Sequence, residues 1–175
     1  MKILVTNDDG IFSSGIFALW DIAKEFGDVN VIAPASEKSA VGHSITISNP
    51  LYVNQIERED GFKGIAVSGT PSDCVKIGIK SLLPFRPDLI LSGINIGSNL
   101  GNNIIYSGTV AAAIEGATLN IPSIAISIDS FNPSNFLTSK IVVRKVINFI
   151  VNNTIPTGTI LNVNIPDCEP NDLKG

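Results

Sequence analysis

The stretch that decides the fold is Lys2-Ile3-Leu4-Val5-Thr6-Asn7-Asp8-Asp9-Gly10, in which a short apolar run gives way abruptly to polar residues. The apolar part predicts a buried strand over residues 2–6, because the residues that follow it prefer turns. Apolar residues then recur at helical spacing from about Ser14 to Phe26, and a second strand is predicted over Val29–Ala33. This order of strand, helix and strand is typical of wound α/β sheets.

The rest of the chain continues the alternation. Ile45–Ile56 and Phe62–Val67 are predicted to be the strands of a hairpin excursion, and Thr70 to Asp73 is predicted to open a helix that Pro84 ends. Further strands are predicted over 88–92, 123–128 and 159–165, and further helices after 107–109 and from Pro133 to about Asn152. We therefore expect one domain over residues 1–175: a three-layer, Rossmann-like wound sheet, mostly parallel, with a β-hairpin excursion.

Composition narrows the class of protein. The chain has 175 residues, of which 44% are hydrophobic and 16% charged, as expected for a globular domain with one core. Its 12 basic and 16 acidic residues give a net charge of -4, which argues against duplex nucleic acid as a partner. Its apolar runs are too short for a signal peptide or a membrane span, so we expect a cytoplasmic protein with no membrane partner. Both Cys74 and Cys168 are expected to be reduced.

Missing motifs exclude several chemistries. The one histidine, His43, cannot build a zinc site that needs two imidazoles. The chain also lacks the glycine patterns of phosphate-binding and dinucleotide-binding loops, and it lacks the serine elbow of the α/β hydrolases. The remaining candidates for chemistry are oxygen-bearing side chains.

Polar loops follow three of the predicted strands, and ligands of wound sheets bind beyond the carboxyl ends of strands. These loops carry Asn7 to Asp9, the segment 36–44, and Asn95 with Asn99. Two adjacent carboxylates with hydroxyl and amide oxygens suit a hard cation such as Mg²⁺ or Mn²⁺. Asn-Asp-Asp-Gly alone is more typical of a simple turn than of a metal site, but the coincidence of three loops reverses this preference.

Ser107-Gly108-Thr109 begins a predicted helix and by itself indicates a helix cap. Beside a bound cation, the same helix start becomes an anion site for a phosphate. Metal and phosphate together suggest phosphomonoester hydrolysis, in which the ion polarises the ester and lowers the pKa of the attacking water.

Four motifs occur together in one order. They are Asn7-Asp8-Asp9-Gly10, Ser39 in the second loop, Ser92-Gly93-Ile94-Asn95 continuing through Gly97, Asn99 and Gly101, and Tyr106-Ser107-Gly108-Thr109-Val110-Ala111-Ala112-Ala113. With them the chain resembles the SurE (survival protein E) family of metal-dependent 5'-nucleotidases, from Met1 to about Pro166. The resemblance implies hydrolysis of nucleoside monophosphates to nucleoside and phosphate, with one divalent ion per subunit.

The resemblance also assigns residues. It implies that Asp8, Asp9, Ser39 and Asn95 are the metal ligands, with Asp8 or Asp9 orienting the attacking water. It further implies that Asn99, Ser107, Gly108 and Thr109 hold the substrate phosphate.

Two departures from the family pattern stand out. Asn103 occupies a position that commonly carries Asp, so a charge near the site is lost. Family members usually continue into a C-terminal arm that is exchanged between subunits, whereas this sequence stops at Gly175. We therefore expect a homodimer through the core domain and not an arm-swapped tetramer.

Some alternatives stay open. His43 is a minor candidate for the general acid that protonates the leaving oxygen, against a loop histidine that is exposed or only positions phosphate. The chain could also be a non-catalytic module that binds nucleotide or metal. An acyl hydrolase using Ser39 or Ser44 with His43 is a weaker hypothesis, since no elbow motif is present. The sequence does not distinguish 5' from 3' phosphates or one base from another.

Overall fold

The structure is a computed structural model that describes residues 1–174. The strands are β1 Lys2–Thr6, β2 Asp28–Pro34, β3 Val53–Glu57, β4 Lys63–Val67, β5 Leu89–Ile96, β6 Ser123–Asp129 and β7 Leu161–Pro166. The helices are α1 Ser14–Ala23, α2 Pro71–Ile77, α3 Gly108–Thr118 and α4 Leu137–Asn152. Within these residues the strands form one seven-stranded sheet in the order β3-β4-β2-β1-β5-β6-β7. Only β3 runs antiparallel to its neighbour, so the predicted wound sheet with a hairpin excursion is confirmed.

Three layers follow from the alternation of side chains along the strands. Ile3 and Val5 of β1 belong to the core beneath α1 and α4, whereas Leu4 belongs to the core beneath α2 and α3. The helices therefore cover both faces of the sheet, which is why its central strands are continuously apolar.

The winding of the chain places a crevice between β1 and β5. From β1 the chain proceeds to β2 and β4 on one side, then returns to β5 on the other side of β1. Strand order thus reverses between β1 and β5, the point at which ligands bind in wound sheets. Asp8 and Asp9 follow β1 directly, and Asn95 lies near the end of β5.

Several predicted boundaries were wrong. Residues 45–52 are not part of a strand, because the chain here bonds to the start of α2: the Thr46 N–H and hydroxyl donate to Asp73, and Ser44 O accepts from Thr70. Helix α1 ends at Ala23 rather than Phe26, and α2 ends at Ile77 before a π-helical turn at Gly78–Leu82. Helix α4 starts at Leu137 rather than Pro133.

The end of β5 was also mispredicted. This strand continues to Ile96 instead of ending at Ser92, and its register against β6 shifts between Ser92 and Asn95. An irregularity of this kind changes the direction in which side chains point, and here it accompanies the approach of Asn95 to the crevice.

Both cysteines are free, as predicted, with Cys74 buried in the core. Among residues 1–174, none of the helices has the length and hydropathy needed to cross a membrane.

Candidate active site

A cavity of about 590 Å³ lies at the carboxyl ends of the central strands. Six of the residues assigned to the site by the sequence line it: Asp8, Asp9, Ser39, Asn95, Asn99 and Ser107. Gly108 and Thr109 lie immediately behind the cavity wall, and His43 is not among the lining residues. The volume falls in the range of small-molecule sites and accommodates a nucleotide.

Asp8 and Asp9 form the acidic centre of the cavity. Burial, together with repulsion from the adjacent Asp8, raises the pKa of Asp9 to about 6. Burial also raises the pKa of Asp8, against the opposing effect of the Thr109 hydroxyl. Within residues 1–174, the side chains that line this cavity include no Lys, Arg or His to neutralise the pair. Two adjacent carboxylates, one buried and one half-buried, without a cationic side chain suit the binding of a cation.

The start of α3 is directed at Asp8. The Thr109 hydroxyl, which is fully buried, donates a hydrogen bond to the Asp8 carboxylate. Gly108 allows this approach, because a Cβ there would lie 2.8 Å from the Cβ of Asp8. Thr109 therefore acts on a predicted metal ligand, and its assignment to the substrate phosphate stays a prediction.

Ser107 caps α3, since its hydroxyl accepts a hydrogen bond from the Val110 N–H at 3.1 Å. Ser107 therefore both caps α3 and lines the cavity, so its interpretation as a helix cap is compatible with its assignment to the phosphate site. A capped helix start still presents N–H groups and the positive end of the helix dipole to an anion.

Two asparagines face the cavity, Asn95 near the end of β5 and Asn99 in the loop that follows. The Asn95 amide nitrogen donates to the Gly97 carbonyl at 2.5 Å, which leaves its amide oxygen as the group available to a cation. The Asn99 amide nitrogen donates to the Ser127 hydroxyl at 2.9 Å, and the Asn99 backbone bonds to Asn164 of β7 at 2.7 Å. Strands β6 and β7 thus fix Asn99, a contribution that the sequence reading missed.

The loop after β2 brings Ser39 to the cavity. The Lys38 N–H donates to the backbone oxygen of Asp8 at 2.8 Å, so this loop is tied to the end of β1. The Ser39 hydroxyl donates to Glu37, which leaves its oxygen lone pairs free to accept. Glu37 also lines the cavity and raises the pKa of both aspartates, and nothing in its local sequence distinguished it from a solvent-exposed loop residue.

His43 points to a different partner. Its Nε2 lies 3.0 Å from a carboxylate oxygen of Glu115 on α3, and the other oxygen of Glu115 accepts from Lys76 at 3.1 Å. This contact favours a role for His43 in fixing the loop to α3, and its role as a general acid stays a prediction.

The donor set fits a hard divalent cation. Asp8, Asp9, Ser39 and Asn95 offer only oxygen, the ligand type that Mg²⁺ and Mn²⁺ prefer. In the part of the chain that the structure describes, no group of three His, Cys, Asp or Glu side chains could hold an ion by itself. Hydroxyl and amide oxygens are therefore needed to complete such a site. Asn103, the departure from the family pattern, also lines the cavity and adds no charge to it.

Comparison with known proteins agrees with this geometry. The family model described as Survival protein SurE matches residues 3–175. A "5'-nucleotidase SurE" of Pelobacter propionicus is 50% identical, over 99% of this chain and 69% of the relative, and one of Syntrophobacter fumaroxidans is 46% identical, over 100% and 70%. The crystal structure of the SurE protein from Aquifex aeolicus matches with a TM-score of 0.89 and 44% identity, over 99% of this chain and 69% of that one. The chain belongs to the SurE family.

Proposed function

We propose that the protein is a divalent-metal-dependent phosphomonoesterase that hydrolyses nucleoside 5'-monophosphates to nucleoside and phosphate. One observation carries the proposal: the buried Asp8 and the half-buried Asp9 lie side by side, without a cationic side chain, beside the start of α3 in a nucleotide-sized cavity. The relatives named 5'-nucleotidase support the same activity, since they match the whole of this chain at 46–50% identity.

Asp8, Asp9, Ser39 and Asn95 would hold one divalent ion per subunit. When bound, such an ion supplies Lewis-acid polarisation of the phosphate ester and lowers the pKa of a water. The two carboxylates would neutralise the charge of the ion, and Asp9, the more exposed of the pair, would accept the proton of the attacking water. Thr109 fixes Asp8 in the required orientation through its hydroxyl.

The start of α3, which adjoins Asp8, binds the substrate together with Asn99. Ser107 and the N–H groups at the start of α3 receive the phosphate, and Asn99 donates to it through its remaining amide hydrogen. These donors also stabilise the charge that develops on phosphate oxygens during transfer, where preorganised donors contribute most. The leaving nucleoside oxygen takes its proton from solvent, because the nearest contact of His43 is Glu115.

A substrate panel tests the activity. Purified protein is assayed for phosphate release from nucleoside 5'- and 3'-monophosphates with Mg²⁺ or Mn²⁺, and with EDTA as the control. We expect turnover of the 5' esters that EDTA abolishes. Metal binding without turnover would contradict the proposal and support a non-catalytic binding module.

Assembly and location are proposals of the same kind. We propose a homodimer through the core domain; β7 lies at an edge of the sheet, and Phe149 of the adjacent α4 is half exposed. Light scattering would show twice the chain mass, and a monomer at micromolar concentration would contradict this. The two free cysteines support a reducing compartment such as the cytoplasm.

A further inference from the structure

Two exposed aromatic side chains lie on the wall of the active-site cavity. Phe131, in the loop after β6, is 91% exposed, and Tyr106, just before α3, is 62% exposed. Within residues 1–174 they are the aromatic residues that line this cavity. The cavity therefore has an inner part around the buried Asp8 and an outer part that carries two solvent-exposed aromatic rings.

The Phe131 ring is held at the cavity by Gly97. A Cβ on Gly97 would lie 2.9 Å from Cε1 of Phe131, so the ring packs directly against the glycine backbone. Gly97 has φ of +102°, a conformation that side-chain-bearing residues rarely adopt, which keeps this contact open. One part of the ring is thus supported by the cavity wall while most of it stays available to a ligand.

Tyr106 projects from a fixed backbone. Its N–H donates to the Asn103 carbonyl at 3.1 Å, and its carbonyl accepts from the Gly42 N–H at 3.0 Å. It immediately precedes Ser107, the residue at the start of α3 that we assign to the phosphate. The Tyr106 ring therefore belongs to the residue next in sequence to the one assigned to the substrate phosphate.

We propose that Phe131 and Tyr106 bind the nucleobase by stacking, so that the enzyme selects nucleoside monophosphates over phosphate esters that lack a base. The inference rests on the proposed function and adds the group that distinguishes the substrate class. An exposed ring gains free energy when a flat aromatic group covers it, and bases stack on aromatic side chains. Every base has a π face, so this subsite accepts purines and pyrimidines, with larger purines favoured.

The test compares two substrates that differ only in the base at C1. The ratio of kcat/KM for adenosine 5'-monophosphate to that for ribose 5-phosphate is measured in the wild type and in Phe131→Ala, Phe131→Leu, Phe131→Tyr and Tyr106→Ala. Ile105→Ala is the matched control, because Ile105 is 71% exposed beside Tyr106 but does not line the cavity. The dissociation constant of adenosine 5'-monophosphate in EDTA gives a second readout that is independent of turnover.

We expect the ratio to fall about tenfold in each alanine variant, through KM, since stacking on one aromatic residue contributes this much. Phe131→Tyr restores the ratio, Phe131→Leu does not, and Ile105→Ala leaves it at the wild-type value. An unchanged ratio in both alanine variants, or a leucine variant as selective as the wild type, would overturn the inference. Efficient hydrolysis of ribose 5-phosphate by the wild type would overturn the inference alone, whereas no turnover of either ester would overturn the proposed function.

Discussion

The molecule buries carboxylates in two regions and surrounds them differently. Between α2 and α3, Asp73 and Glu115 are 3% and 5% exposed and fully supplied with donors: Asp73 accepts from Thr46 and Thr70, and Glu115 from His43 and Lys76. In the cavity, Asp8 is 7% exposed beside Asp9, and among the described residues that line the cavity no basic side chain accompanies them.

The pKa values follow the surroundings. Burial by itself would raise the pKa of Asp73, but hydrogen bonds from Thr46 and Thr70 outweigh it and hold that pKa below its ordinary value. The pKa values of Asp8 and Asp9 are raised, because burial dominates at both, with added repulsion from Asp8 at Asp9 and from Glu37 at each. Burial of a carboxylate alone therefore does not mark a functional site, and the absence of a compensating partner does.

The largest expected effect is on catalysis. Asp8→Asn and Asp9→Asn should each lower metal-dependent phosphate release by more than about 100-fold, since loss of an anionic ligand exceeds the usual cost of losing an orienting partner. Both variants should keep the fold, because each removes a negative charge that no basic side chain of the cavity neutralises when the metal is absent. The control is Asp167→Asn, at an exposed position outside the cavity. Retained activity in both site variants would exclude the pair from the metal site.

The next largest expected effect is on the free energy of unfolding, through Asp73 in the region between α2 and α3. Asp73→Ala should lower the free energy of unfolding by about 2 kcal/mol, because it leaves the partly buried donors of Thr46 and Thr70 without their acceptor. Urea denaturation measures the change. A loss no larger than that of Asp167→Ala would show that the hydrogen bonds at Asp73 contribute little, and the contrast between the two regions would fail.

Substitutions of Thr109 should have a smaller effect, on metal affinity, and they test whether this residue acts on Asp8 or on the phosphate. Thr109→Val removes the hydroxyl that bonds Asp8 but keeps the side-chain volume, so it should weaken Mn²⁺ affinity about tenfold, as loss of a group that orients a ligand does. Thr109→Ser keeps the hydroxyl and should retain most of the affinity. If Thr109→Val instead raised KM for phosphate esters with metal affinity unchanged, the residue would belong to the phosphate site.

The smallest effect is the pH dependence of stability. A carboxyl whose pKa is raised on folding binds more protons in the folded state, so its ionisation destabilises the fold. For Asp9 the unfolding free energy of the EDTA-treated protein should fall as pH rises from about 4 to about 6. The expected loss is about 1 kcal/mol after allowance for solvent screening of this partly exposed group. Asp9→Asn should flatten this slope in urea titrations, and an identical slope in both proteins would contradict the account.

The sequence predicted the wound sheet, because its strands and helices have distinct apolar periods. Six predicted residues line the cavity: strand ends predicted Asp8, Asp9, Asn95 and Asn99, the helix start predicted Ser107, and the family resemblance implied Ser39. The sequence did not predict the extension of β5 to Ile96 or the register shift before Asn95, since both depend on pairing with β6.

Two cavity-lining residues were also not predicted from the sequence, because their neighbouring sequence contains no recognisable motif. Glu37 and Phe131 lie in loops whose composition is ordinary, and their exposure to the cavity follows only from the packing of distant segments. The Glu115 partner of His43 is 72 positions away, so the sequence left His43 as a minor candidate for the general acid, a role that this contact does not favour.

Calorimetric titration of Mn²⁺ into the EDTA-treated and dialysed protein at pH 7 tests the central claim, that the uncompensated carboxylates of the cavity bind the metal. We predict one ion per chain for the wild type and for Glu115→Gln, which alters the region whose carboxylates already have partners. We predict loss of that binding in Asp8→Asn. Binding of Mn²⁺ by Asp8→Asn with wild-type affinity and stoichiometry would contradict the account.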